Sequence, residues 1–141
     1  MQGESFDCAS MEQLYRDAFA PWIQALGIKV DALTDAGARF VLPHNPALSR
    51  EGGVVCGQAV AAVADTVGVL ALAAKNGRYR QMTTVDMTSN FMRPLAMGNV
   101  QVGVTVLANG RRMATTRVDF WQTDPAKIGA TATCVYAYLD G

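Results

Sequence analysis

GGVVCGQAVAAVADTVGVLALAAK, residues Gly52 to Lys75, decides the fold of this chain. From Gly57 to Ala74 almost every side chain is apolar or small, and a helix that is apolar on all sides is a buried one. Only Gln58, Asp65 and Thr66 interrupt it. Aspartate is a poor helix-interior residue, and a carboxylate within an apolar wall is costly unless something compensates it. Asp65, near the middle of the run, is therefore where chemistry is expected. Asn76-Gly77 supplies a left-handed stop after Lys75. A membrane span is the competing reading, but Asp65 at its centre costs roughly 2.5–3.5 kcal/mol even on the lenient insertion scale. The run is also rich in Ala and Gly, so a soluble core helix is expected, with no membrane partner.

Downstream the period changes from helical to two. Met82–Met92 reads as a strand ended by Arg93-Pro94. Val100, Val102, Val104 and Val106 alternate with Gln101, Gly103, Thr105 and Leu107, a clear strand signal. Asn109-Gly110 is a strong hairpin cue, with Arg111–Gln122 returning and Gly129–Leu139 as a last strand. Upstream, Ile28–Leu33 and Ala38–Leu42 flank a turn at Thr34-Asp35-Ala36-Gly37. Pro43 to Gly53 is a loop. Ser10 is placed to cap a short helix from Met11 to about Phe19, with Gln13 completing a capping box and Pro21 ending it. Residues 1–26 then form a helical cover on one domain spanning 1–141. An antiparallel sheet curved around one long helix, an α+β architecture, satisfies this order.

Twelve Lys and Arg balance twelve Asp and Glu, so no global field draws in nucleic acid. Cys8, Cys56 and Cys134 are odd in number and lack metal-ligand spacing, which reads as free thiols in a reducing compartment. The stretch MQGESFDCASMEQ lacks the basic and apolar regions of a secretory leader. A cytoplasmic protein is expected.

The start of the central helix presents unpaired N–H groups and a partial positive charge. Gly57 lets a ligand approach that backbone, with no Cβ in the way. Such a terminus can polarise a carbonyl and hold the oxyanion formed on attack, with Asp65 as base or nucleophile. Eight residues of helix separate the two, about 12 Å of rise. That is too far for one reacting carbonyl. If both act on one substrate they come from different chains, and the site straddles a two-fold interface.

The segments CGQAVAAVADTVG and TTVDMTSNFMRPLAMG, followed by NGRR, resemble the PaaI-like (phenylacetate-pathway type) acyl-CoA thioesterases of the hotdog fold. The similarity runs from about Arg50 to Leu139. It implies a sheet of about six strands around the helix, a homodimer or dimer of dimers, and hydrolysis of acyl-CoA. Coenzyme A then enters as part of the substrate, with no cofactor and no metal. Carried over by position, Asp65 falls on that family's catalytic carboxylate, Gly57 on the glycine whose N–H binds the thioester carbonyl, and Thr84 on a residue that helps hold the attacking water. Arg93, Asn109, Gly110, Arg111 and Arg112 fall where related enzymes contact coenzyme A. The family often has His-Gly-Gly at the helix start, where this chain has Cys56-Gly57-Gln58. It commonly has a polar residue fifteen positions before the acid, where this chain has Arg50. Arg50, Cys56 and Gln58 are thus candidates for substrate contact.

Plainer readings stand beside these. Asp65 can hydrogen-bond a neighbouring loop, Gly57 can serve close packing, and Cys56 can be a small buried hydrophobe. Arg50 can pair with Asp65, hold a substrate carboxylate or be solvated. Thr84 is by default an ordinary strand residue, and Arg111 and Arg112 are simple surface charges. At the level of function, the alternative is a non-catalytic acyl-CoA binding or sensing protein. A hydratase would need a histidine near the acid, and His44 is the only one available.

Overall fold

A computed structural model describes residues 6–140. Gly141 and the first five residues, part of the stretch read as lacking a secretory leader, lie outside them. Helix α1 (Cys8–Ala18) starts one turn earlier than its apolar pattern suggested. Asp7, not Ser10, caps it: Ser10 donates its backbone N–H and its hydroxyl to the Asp7 carboxylate, both at 2.8 Å. Asp and Ser cap about equally well, and the apolar spacing does not choose between them. Gln13 bonds forward to Asp17 rather than back to a cap. Pro21 opens a new helix, α2 (Pro21–Gln24), instead of merely ending the first. Proline suits that position because its missing N–H would be orphaned there anyway. Met11 and Tyr15 bury the inner face of α1.

Strands β1 (Lys29–Leu33) and β2 (Gly37–Leu42) form the expected hairpin, closed by Thr34 and Gly37. Two short pieces, β3 (Ser49–Arg50) and β4 (Val54–Val55), pair with each other. Helix α3 (Gly57–Asn76) follows, then β5 (Met82–Phe91), β6 (Val100–Asn109), β7 (Met113–Trp121) and β8 (Ala130–Tyr138). The main sheet is antiparallel, in the order β1-β2-β6-β7-β8-β5. Its inner face, with Phe40, Val102, Phe120 and Tyr136, packs on α3 through Val60, Val63, Val67, Leu70 and Leu72. α3 is long and apolar enough to cross a membrane, yet most of it is buried in this core.

The helix is not enclosed on every side, as its composition suggested. Ala61, Ala62, Asp65 and Val69 are only half-buried and Gln58 is exposed. These positions recur at helical spacing, so they form one open stripe. Asp65 lies on it.

Two further details position the site. Across β5 and β8, Thr84 faces Tyr136, but Asp86 faces Val135, so Val85 is an extra, bulged residue. Directly paired residues share a face. Tyr136, Cys134 and Ala130 point inward, so Thr84, Met87 and Phe91 do too. The β6–β7 hairpin also departs from expectation. Asn109 still pairs with Ala114, Gly110 N–H donates to the Met113 carbonyl at 2.8 Å, and Arg111-Arg112 forms the tip. A type I′ turn on Asn-Gly needs positive φ, and neither Asn109 nor Gly110 has it. The Asn109 side chain is used elsewhere. It donates to Asn76 Oδ1 at 2.7 Å, Asn76 donates to the Tyr138 hydroxyl at 2.9 Å, and that hydroxyl donates to Asn109 Oδ1 at 2.6 Å. The ring is closed. Arg80 stacks on Tyr138 and holds Asp140 through two 2.9 Å bonds.

Candidate active site

Helix α3 and edge strand β5 run antiparallel, with Thr84 beside Asp65 and Phe91 beside Gly57. At one end the Thr84 hydroxyl donates to Asp65 Oδ1 at 2.7 Å. The bond orients the carboxylate, and the threonine oxygen keeps lone pairs for a second partner. The backbone at Asp65 is also fixed: the Tyr136 hydroxyl, rising from the sheet beneath, donates to the Asp65 carbonyl at 3.0 Å. Burial pushes the Tyr136 phenol well above its ordinary value, which keeps it a donor. The contact needs a gap in the helix, and Gly68 provides it: a Cβ there would collide with the Tyr136 hydroxyl. Thr116 Oγ1 is buried nearby and finds no partner among the described residues. Sequence reasoning missed Tyr136 and Gly68. The alternation of β8 marks Tyr136 as inward-facing, but nothing in it names Asp65 as the partner.

At the other end stands Gly57, first residue of α3, with half-buried Cys56 at the cap position. No side chain caps this terminus, so the leading N–H groups remain available. Gly57 forms part of the wall of a cavity of about 350 Å³. Val54, Val55, Val60 and Leu95 supply apolar wall, Phe91 lies against Gly57, and Arg50 and Arg93 are the charged residues of the lining. The fold thus gathers Gly57, Cys56, Arg50 and Arg93 at one place and Asp65 and Thr84 at another. One unbroken helix keeps them apart by about 12 Å of rise. Gln58 lies on the open stripe beside Gly57.

The remaining candidates sit elsewhere. Asn109 contacts Asn76 at the end of α3, about 16 Å of helix rise from Asp65 and about 28 Å from Gly57. Both polar atoms of its side chain are engaged inside the protein. Gly110, Arg111 and Arg112 occupy the exposed tip beyond it. His44 is exposed, and among the described residues no hydrogen bond or ion pair joins it to Cys56.

The family model described as thioesterase superfamily matches residues 52–128, more than half of the chain. The chain belongs to the thioesterase superfamily. The matched span contains α3 and β5 to β7, and so Gly57, Asp65 and Thr84. Among solved structures, a conserved protein of Pseudomonas aeruginosa is 29% identical, with 86% of this chain and 95% of that one covered and a TM-score of 0.77. A single-site variant of the phenylacetic acid degradation protein PaaI from Thermus thermophilus is 25% identical, with 85% and 100% covered and a TM-score of 0.71. Thioesterase superfamily member 2 of zebrafish is 19% identical, with 95% and 99% covered and a TM-score of 0.81. No protein of curated function matches this thioesterase-superfamily chain in sequence. The six-stranded antiparallel sheet with one long central helix is the hotdog fold, and the resemblance to PaaI-like thioesterases stands.

Proposed function

We propose that this member of the thioesterase superfamily hydrolyses acyl-CoA thioesters as a homodimer, with Asp65 as its acid–base group. The 2.7 Å bond between Thr84 and Asp65, on the open side of the core helix, carries the reading. It orients one carboxylate oxygen and leaves the other free for a water molecule, which Thr84 helps to hold. Asp65 takes the water proton, hydroxide attacks the thioester carbon, and the oxyanion forms against the Gly57 N–H. Collapse breaks the carbon–sulfur bond, and the thiolate leaves with the proton from Asp65. Direct attack by the carboxylate is the other form of this mechanism. Heavy-oxygen labelling of Asp65 in a single turnover separates the two.

The helix rise between Gly57 and Asp65 exceeds the reach of one carbonyl, so the Gly57 donor comes from the facing chain. β5 offers the means. It is an edge strand with unpaired backbone groups and exposed Val85 and Phe91, and it borders the open stripe of α3. Two-fold pairing there brings each Asp65 toward the Gly57 end of the other helix. The resemblance to PaaI-like thioesterases implies a dimer or dimer of dimers, and a dimer of dimers preserves the same paired sites. Arg111 and Arg112 lie at a distance that suits the nucleotide phosphates of coenzyme A rather than the reacting bond. The three free cysteines support a reducing, cytoplasmic setting.

Asp65→Asn should abolish thiol release from acyl-CoA esters while circular dichroism stays unchanged; full turnover in that variant would refute the assignment. The Cys56-Gly57-Gln58 sequence at the helix start favours one rival, an acyl-CoA binding protein without turnover. Calorimetric binding of esters with no thiol release across a broad panel would establish that rival.

A further inference from the structure

The cavity at Gly57 combines two features. Val54, Val55, Val60 and Leu95 give it apolar wall, and its charged lining residues are both cations, Arg50 and Arg93. Among the described residues neither guanidinium pairs with a carboxylate. Arg50 Nη1 donates only to the neighbouring Glu51 carbonyl, at 3.1 Å, which leaves most of its fork unused. A guanidinium fork matches a carboxylate in two parallel hydrogen bonds. Such a site takes an anionic group carried on an apolar body.

The anion has two conceivable sources, the nucleotide phosphates of coenzyme A or the acyl group itself. Cavity size decides between them. A volume of 350 Å³ corresponds to a space roughly 9 Å across, at the small end for ligand pockets. Gly57, which holds the thioester carbonyl in the reading above, is part of its wall. An anion bound by Arg50 and Arg93 in that same space lies only a few bonds from the carbonyl. The pantetheine arm places the phosphates much farther from the sulfur. The acyl chain has the right length.

We propose that Arg50 and Arg93 recognise a carboxylate at the far end of the acyl group, so that the preferred substrates are CoA half-thioesters of short dicarboxylic acids. This rests on the thioesterase reading and adds to it the class of acyl group. Both arginines are exposed in the free chain. An acyl group filling the cavity displaces water from them, and a guanidinium then left without an anion loses its charge-assisted hydrogen bonds. The uncharged twin of such a substrate should therefore be the poorer one.

The test compares succinyl-, glutaryl- and adipoyl-CoA with butanoyl-, pentanoyl- and hexanoyl-CoA on the intact protein. kcat/KM should favour the carboxylate member of the best pair by about tenfold or more. In Arg50→Gln and Arg93→Gln that ratio should fall toward one, while Arg50→Lys should keep part of it. Binding of the free dicarboxylate against its monocarboxylate twin to the Asp65→Asn variant, by calorimetry, gives the same comparison without turnover. Equal or better hydrolysis of the neutral esters by the unaltered protein overturns the inference and leaves the thioesterase reading intact. A preference that survives both glutamine substitutions also overturns it. So does an outcome in which those substitutions erase the preference for CoA esters over pantetheine esters and leave the acyl preference untouched, which would assign the arginines to phosphate. No hydrolysis of any thioester is the failure of the parent reading instead.

Discussion

β1 and β5 close the two ends of one sheet, yet β1 has five residues and β5 has ten. β1 carries Lys29 and Asp31, is interrupted by a bulge at Asp31, and ties that aspartate to Arg39 at 3.4 Å. Helix α1 packs beside it. A short strand, charged side chains, a bulge and a helical cover are the devices by which proteins keep an edge from pairing. β5 has a bulge too, but it is long and exposes Val85, Met87 and Phe91. It also borders the stripe that holds Asp65. One edge is closed and the other is open beside the catalytic candidate. In the proposed function, association and chemistry share the open flank.

The largest effect that would sharpen this contrast is the loss of the acid. Asp65→Asn on the open flank should lower thioester turnover by about 10³-fold, whereas Asp31→Asn on the closed edge should change it less than about twofold. Next comes pairing itself. Val85→Lys combined with Met87→Lys should give a monomer by analytical ultracentrifugation and lose about 10²-fold in activity, because half of each site leaves with the partner. Ala32→Lys on β1 should do neither. A monomeric unaltered protein with full activity would break the comparison outright.

Smaller effects separate support of the site from its chemistry. Gly68→Ala should lower stability in urea by about 2 kcal/mol through overpacking against Tyr136, although alanine is the better helix former. Thr84→Val should cost five- to tenfold in kcat with little change in stability, since one exposed hydrogen bond is worth about 1 kcal/mol. The smallest effect lies away from both edges. Hydrogen bonds from Arg80 hold the Asp140 carboxyl below the usual aspartate range. The unfolded chain then takes up a proton before the folded one does, so this contribution is complete at neutral pH. It declines below about pH 4 and is gone once pH passes the folded value. Asp140→Asn should flatten the acid limb of Tm against pH by a small margin.

The six strands of the main sheet, its two-residue period and the core helix were legible from side-chain spacing alone, whereas β3 falls in the stretch read as a loop and β4 carried no signal. Local competition set the errors. Asp7 and Ser10 are both good caps three residues apart, and spacing does not rank them. Asn109-Gly110 carries a strong turn signal, but Asn76 and Tyr138 claim the Asn109 side chain from distant parts of the chain, and the tip moves to Arg111-Arg112. Asp65 stood out as a charge in an apolar run. The resemblance placed Thr84 as a holder of the attacking water, but its bond to Asp65 was not legible, because it depends on how β5 lies along α3. Tyr136 and Gly68 were invisible for the same reason: their contact is between elements.

The extra residue at Val85 has a consequence for how this fold can vary. Before it, even-numbered side chains of β5 turn toward the helix; after it, odd-numbered ones do. Removing that single residue would leave a regular ladder, with Thr84 and Asp86 adjacent and directly opposite Tyr136 and Val135, and would keep Thr84, Met87 and Phe91 on the helix side. The bulge is thus a place where one residue can be lost while both halves of the strand keep their sides, whereas straightening the strand with every residue retained would exchange the sides of one half at a stroke.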